Sequence, residues 1–279
     1  MIRLAALCLV CAAATAQTLR IEVFSLFRTS TLRIAPAGQP ILLRAGDRTV
    51  ELEGSRSVAL TAGVEVSSRS GSAVDFELSV PGRITRRFHG LLRTYADGRK
   101  LVAIIEIDRE LAVASAVAAE SPPGASFEAL KAQAVVTRSY YAAARDRHTS
   151  SDFCDTTHCQ FLRSPPDPAS PAVRAAAETR GLVLAWQGRT IPALFSAACG
   201  GNTRAFEEGN AYPYRSVACA WCSQHGHGDV AGHRLGLCQR GAAGMAATGA
   251  SYRDILNHFF PSATIAQVQD VAALTVTGR

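Results

Sequence analysis

The stretch LAVASAVAAESPPGASFEALKAQAVVTRSYYAAARDR, residues 111 to 147, decides how the rest of the chain is read. Its first ten residues are alanine-rich with no β-branched alternation, which predicts a helix over Leu111 to Glu120. Ser121-Pro122-Pro123-Gly124 stops it. Ser126 is placed to cap a second helix over Phe127 to Arg147, with Glu128 near its positive end and Phe127, Leu130, Ala134 and Tyr141 on one buried face. Glu120 therefore stands at a helix end against the start of the next helix. Ala118, Ala119 and the prolines give it apolar flanks, and a carboxyl group shielded in this way is one whose pKa rises toward that of a general acid. The plainer alternative is an ion pair of Glu120 with Lys131 or Arg138.

Upstream, from Leu19 to Ile107, apolar and polar residues alternate in short runs such as Leu19-Arg-Ile-Glu-Val and Val74-Asp-Phe-Glu-Leu, divided by turn residues such as Asp97-Gly98. This predicts a β-rich region in which Arg83, Arg86, Arg87 and Arg93 occupy outward positions of an exposed sheet face, with contact to an anionic polymer as the alternative. Downstream, Ser170-Pro171 opens a short helix closed by Gly181. Leu182 to Trp186 and Thr190 to Phe195 flank Gln187-Gly188 as a hairpin, and Ala198 to Gly241 reads as loops. Ser251-Tyr-Arg-Asp254 is a capping pattern before a helix carrying Ile255, Leu256 and Phe259. The fold class is α+β, a β-rich N-terminal region with a mixed helical catalytic core, divided at 17–107 and 108–279.

Residues 1–16 have a short positive start, an apolar run and Ala14-Thr-Ala16, the pattern of a secretory signal peptide. The apolar run is too short to span a bilayer, so the mature protein is expected to be exported, to the periplasm or the extracellular cell wall, without a transmembrane span. The net charge of +6 at 279 residues allows anionic partners and selects none. Of eight cysteines, Cys8 and Cys11 fall in the signal segment. His148, Cys154, His158 and Cys159 lie within twelve residues and offer two nitrogens and two thiolates, the ligand set of a closed structural zinc site. A disulfide between Cys154 and Cys159 is the alternative. Cys199, Cys219, Cys222 and Cys238, with His225, His227 and His233 nearby, are read as two disulfides of undetermined pairing or as a second metal site built around Cys219-x-x-Cys222.

Four segments in order resemble the sporulation stage II protein D family, also called SpoIID/LytB. They are Glu120-Ser-Pro-Pro with EALKAQAVVTRSYY (Glu128 to Tyr141), DFCDTTHCQ (Asp152 to Gln160), FSAACGGNT (Phe195 to Thr203) and GHRLGLCQRGAAGMA (Gly232 to Ala246). The resemblance covers about Ile107 to Ile265. The last segment departs from the family's usual Gly-x-Gly and Met-Ser, with Arg234-Leu235 and Leu237-Cys238 in their place, and the usual Leu-Glu-Asp-Tyr-Leu is reduced to Asp108-Arg-Glu-Leu-Ala.

The resemblance implies a lytic transglycosylase that cuts the bond between N-acetylmuramic acid and N-acetylglucosamine, with Glu120 as its catalytic residue and a 1,6-anhydro product. The implied partners are peptidoglycan glycan strands, stripped of peptide stems, and an N-acetylmuramoyl-L-alanine amidase; nucleic acid is not among them. Some members hold zinc with the Cys/His loop, which the chemistry itself does not need. Ser196, Asn202 and Thr203 are candidates for contacting sugar hydroxyls or N-acetyl groups, and Gln133 and Arg138 for orienting the acid. Some members are named amidase enhancers, so a wall-binding protein that assists an amidase without cutting is the competing reading. A zinc hydrolase using the Cys/His loop is weaker, because catalytic zinc keeps an open position.

Overall fold

The computed structural model describes residues 18–145, 147–224 and 230–269, so the expected signal peptide and His225 and His227 lie outside the described residues. In chain order, the N-terminal half carries β1 (Thr18–Val23), β2 (Leu32–Pro36), β3 (Ile41–Ala45), β4 (Arg48–Leu52), β5 (Val58–Leu60), β6 (Glu65–Ser67), β7 (Val74–Val80), β8 (Ile84–Asp97) and β9 (Lys100–Asp108). Then come α1 (Arg109–Glu120), α2 (Phe127–Ala143), β10 (Phe153–Cys154), α3 (Pro171–Glu178), β11 (Leu182–Trp186) and β12 (Arg189–Thr190). The remainder holds β13 (Phe195–Ser196), β14 (Ala198–Cys199), α4 (Ala220–Gln224), β15 (Val230–Ala231), β16 (Leu237–Cys238), α5 (Gln239–Ala247), α6 (Tyr252–Phe259) and β17 (Thr264–Gln267). The fold is α+β with its long strands in the N-terminal part, as the alternation predicts.

The strands of the first half join β10 in a ten-stranded sheet whose main path runs β10-β1-β9-β8-β6-β3-β4, with β2, β5 and β7 branching from β8. All pairings are antiparallel except β1 with β10. The period-two pattern buries Val74, Phe76, Leu78 and Val80 of β7. At the β8–β9 turn Gly98 takes φ +60°, which a side chain would resist.

Helix α2 separates two apolar cores. Leu130, Ala134, Tyr140 and Tyr141 pack with α1, α3 and the sheet, while Ala129, Ala132, Val135 and Val136 pack with the C-terminal segments. The single buried face expected for this helix is therefore too narrow; small alanines let it be enclosed on both sides. It ends at Ala143 rather than Arg147, because the chain turns there and the Arg147 N–H is bonded to the Asp152 carbonyl, 3.3 Å away. Ser126 precedes the helix, but its hydroxyl makes no cap bond. Helix α1 begins two residues earlier than predicted, because the Asp108 side chain accepts the N–H groups of Glu110 and Leu111.

The caps at Ser170 and Ser251 form as predicted, the latter with its reciprocal Asp254. The hairpin after β11 is shorter than expected: β12 is two residues, and Phe195–Ser196 pairs with Leu237–Cys238 instead. Strand β11 finds its other partner in β17. Of the four arginines, Arg86 is not an outward sheet residue. Its guanidinium bonds the buried Asp155 carboxylate at 2.7 Å and stacks over Phe24.

Candidate active site

Glu120 closes α1, and Ser121 leaves the helix in extended backbone ahead of Pro122. The carboxylate faces a cleft of about 340 Å³. Thr157, Cys159 and Gln160 form one wall, residues 193–197 and 231–233 the other, and Tyr140 and Gln239 also contribute. One carboxylate oxygen accepts the Phe161 N–H at 2.9 Å. Burial raises the Glu120 pKa, and the Phe161 hydrogen bond and the nearby Arg163 charge offset this only in part. Neither cation of the ion-pair alternative reaches it: Lys131 pairs with Glu128 and Glu178, and Arg138 with Glu110. Among the described residues Glu120 is the one carboxylate lining the cleft.

The structure separates the other sequence candidates. Ser196 lines the cleft; its hydroxyl oxygen accepts the Arg234 N–H at 2.8 Å and lies 3.3 Å from His233 Nδ1. Asn202 and Thr203 do not line it. Asn202 is exposed and its carbonyl accepts from the Arg234 guanidinium, while the buried Thr203 hydroxyl is used by Arg215 and Val217. Gln133 is buried behind the cleft, where its side-chain oxygen lies 3.4 Å from Gln239 Nε2, and that same nitrogen donates to the Glu120 carbonyl at 2.9 Å. Gln133 thus reaches the acid through one intermediary. Arg138 is 0 % exposed and its guanidinium is taken up by Glu110 and by the carbonyls of Ala176 and Leu182. It stands away from the cleft and cannot meet a substrate or orient Glu120.

Three contributors carry weak sequence signals or none. The Phe161 donor is backbone, which no side-chain pattern announces. Gln239 sits in a recognisable motif without a chemical mark of its own. His233 lies in that same segment and beside cysteines, with no sign in the sequence of a role in the cleft; its Nδ1 accepts the Leu235 N–H at 3.0 Å, so the neutral ring carries its proton on Nε2. Burial, helped by the Arg204 charge, lowers its pKa and favours that neutral form.

The Cys/His loop adjoins the acid. His148, Cys154, His158 and Cys159 bring their ligand atoms within 4.8 Å of one another. His148 Nε2 is 3.3 Å from Cys159 Sγ, and His158 Nδ1 lies 3.7 Å from Cys159 Sγ and 3.9 Å from Cys154 Sγ. Tetrahedral zinc with Zn–S of about 2.3 Å and Zn–N of about 2.0–2.1 Å sets ligand separations of roughly 3.3–3.8 Å, so this donor set fits the ion. Neither thiol is in a disulfide. The loop is fastened to the N-terminal sheet: β10 pairs with β1, Asp152 binds Arg20, and Asp155 accepts from the Phe24 N–H and Arg86. The large sheet therefore holds the segment that leads to Phe161 and its bond to Glu120.

No helix among the described residues is long and apolar enough to cross a membrane. A comparison with curated proteins found no match. Residues 97–186 match the family model described as SpoIID, stage II sporulation protein, a span that runs from the β8–β9 turn through Glu120 and the Cys/His loop to the end of β11. The later resembling segments, with Ser196, His233 and Gln239, lie beyond the matched residues. On that match residues 97–186 are a SpoIID-type segment, which links the chain to sporulation and the cell wall.

Proposed function

We propose that this chain is an exported lytic transglycosylase that cuts the glycosidic bond between N-acetylmuramic acid and N-acetylglucosamine in peptidoglycan, with Glu120 as its acid and base. The observation that carries this reading is a carboxyl group with a raised pKa and no cationic bonding partner, facing a cleft lined by no other carboxylate of the described residues. Ordinary glycosidases need two carboxylates, the second as nucleophile or as base for water. Attack by the sugar's own C6 hydroxyl dispenses with it. Glu120 gives its proton to the glycosidic oxygen as the bond to C1 breaks, then takes the proton of the C6 hydroxyl as O6 bonds to C1, leaving a 1,6-anhydro ring and a regenerated acid. Holding the hydroxyl in place supplies the proximity that water would lack.

His148, Cys154, His158 and Cys159 would hold a structural zinc ion. A closed four-ligand site has no open position for substrate, so its contribution is to order the loop behind Phe161. The cleft is open to solvent, as access by a glycan chain requires, and peptide-stripped strands left by an amidase are the proposed substrate. The site of action follows as the periplasm or cell wall.

The test is mass spectrometry of fragments released from amidase-treated peptidoglycan by the purified protein and by Glu120→Gln. Anhydro-ended fragments are expected from the native protein, reduced on the order of 10²–10⁴-fold in the variant, the usual range for loss of a general acid. Binding without products from either protein would replace this reading with that of an amidase-assisting wall protein.

A further inference from the structure

Cys199, Cys219, Cys222 and Cys238 come from four points on three separate segments and meet at one place. Their sulfurs all lie within 4.8 Å of one another, with Cys222 and Cys238 Sγ 3.5 Å apart. All four side chains are buried, at 0–3 % exposure, and none is in a disulfide. Disulfides would draw the sulfurs into two pairs at about 2.05 Å. Four sulfurs mutually near one another are instead the vertices a single tetrahedral ion requires, for which Zn–S of about 2.3 Å implies edges of roughly 3.8 Å. So tight a cage has no room for the bridging sulfides of an iron–sulfur cluster.

The surrounding backbone is shaped to the sulfurs. Cys219 immediately precedes the short helix α4, with its carbonyl accepting the Cys222 N–H at 3.0 Å, so Cys219-x-x-Cys222 presents both sulfurs from one turn. The Gly241 N–H donates to Cys238 Sγ at 3.4 Å, and the Gly201 N–H donates to Cys199. Such donors disperse negative charge on metal-bound thiolates. Gly241 has to be glycine here, because a Cβ at that position would stand 2.5 Å from Cys219 Sγ.

We infer that Cys199, Cys219, Cys222 and Cys238 form a closed tetrathiolate zinc site, independent of the Cys/His loop, that fixes the second wall of the cleft. Soft thiolates in a tetrahedral set select zinc over harder cations. Two connections tie the site to that wall. Cys238 is followed by Gln239, which donates to the Glu120 carbonyl. Strand β14, which holds Cys199, pairs with β15, which leads to Gly232 and His233. The inference rests on the cysteine geometry and does not depend on the proposed glycan chemistry.

The test is metal content by elemental analysis together with native mass spectrometry of the full chain, purified without chelator or reductant. Two zinc ions per chain are expected, one remaining in Cys219→Ser/Cys222→Ser and one in His148→Ala/Cys159→Ser. Should the first double variant fail to fold, cobalt(II) exchange into His148→Ala/Cys159→Ser reads the same site, and the intense thiolate-to-metal absorption of a four-sulfur centre is expected. Disulfides mapped among the four cysteines in the metal-free native chain would overturn the inference. So would free thiols without metal, or a single zinc lost entirely with His148 and Cys159.

Discussion

Removing Glu110 should cost far more than an ion pair normally contributes, because Arg138 cannot escape to water. Its side chain is 0 % exposed, and Nε lies 2.9 and 3.0 Å from the two Glu110 oxygens while Nη2 lies 2.7 Å from one of them. The remaining donors reach the carbonyls of Ala176 and Leu182, at 3.0 and 3.1 Å. These are dipoles, and they do not neutralise a full charge. Glu110→Ala therefore leaves a buried cation with no counterion, for which about 3–5 kcal/mol of destabilisation is expected. At about 2–4 °C per kcal/mol for a chain of this size class, the melting temperature falls by roughly 10 °C.

The companion Glu110→Leu/Arg138→Met removes both charges and refills most of the volume, so it should recover part of that loss, the rest reflecting the buried Arg109, whose Nε lies 3.7 Å from the same carboxylate. Urea unfolding of the native protein, the single variant and the double variant measures all three. A double variant no more stable than Glu110→Ala would refute the assignment of the cost to an uncompensated charge and point to packing instead. Loss of glycan binding by a stably folded double variant would restore Arg138 to the substrate-binding role that the fold denies it.

Glu120→Gln should change stability as well as turnover. Because burial raises the folded pKa, the folded state keeps its proton where the unfolded state, near the ordinary value of 4.5, has released it. Stability of the native protein thus falls as pH rises through that window, and Glu120→Gln, which lacks the penalty, gains relative stability from below pH 4.5 to neutrality; parallel melting curves in pH series would refute it. Gly241→Ala gains helix propensity but sets a methyl group 2.5 Å from Cys219 Sγ and 2.8 Å from the Phe259 ring, so a net loss of about 1–3 kcal/mol in urea unfolding is expected. Gln239→Ala strips the side-chain donor from the Glu120 carbonyl; a loss of about 0.5–1.5 kcal/mol is expected, and an unchanged unfolding midpoint would show that the bond carries no weight.

What could be read along the sequence was what is decided by neighbours in the sequence. The Pro122-Pro123 stop that ends α1 at Glu120, and the serine caps at Ser170 and Ser251, act within a turn, so their residues announce them. Asp108 acts as locally, accepting the N–H groups of Glu110 and Leu111, but its place in Asp108-Arg-Glu-Leu-Ala does not by itself mark a helix start. Pairings across the chain carried no such mark. The counterion of Arg138 lies 28 residues upstream, and the partner of β11 lies near residue 265. The bond from Phe161 to Glu120 spans 41 residues and uses a backbone donor. The Cys/His loop was legible as a ligand set, because its four residues are close in sequence. The second cysteine set, spread over residues 199 to 238, leaves disulfides and metal open in the sequence, and only the fold brings its four sulfurs together.

The placement of these two clusters bears on how one carboxylate could be enough for the proposed chemistry. A general acid needs a raised pKa and a fixed distance to the oxygen it protonates, yet the walls that provide both are built from strands of two residues: β10 on one side, β13 to β16 on the other. Such strands cannot hold a register unaided, since even a longer isolated hairpin is marginal in water. The cost of ordering the connecting segments, which grows only slowly with their length, must be met by local cross-links. On the Phe161 side the proposed zinc in the Cys/His loop would meet it, with help from the ten-stranded sheet. Among the described residues no comparable sheet backs the opposite wall, and it is there that four buried sulfurs converge. The asymmetry gives a physical reason for the inferred tetrathiolate site: where the N-terminal sheet does not reach, an anchor of that kind would keep Gln239 against the backbone of Glu120.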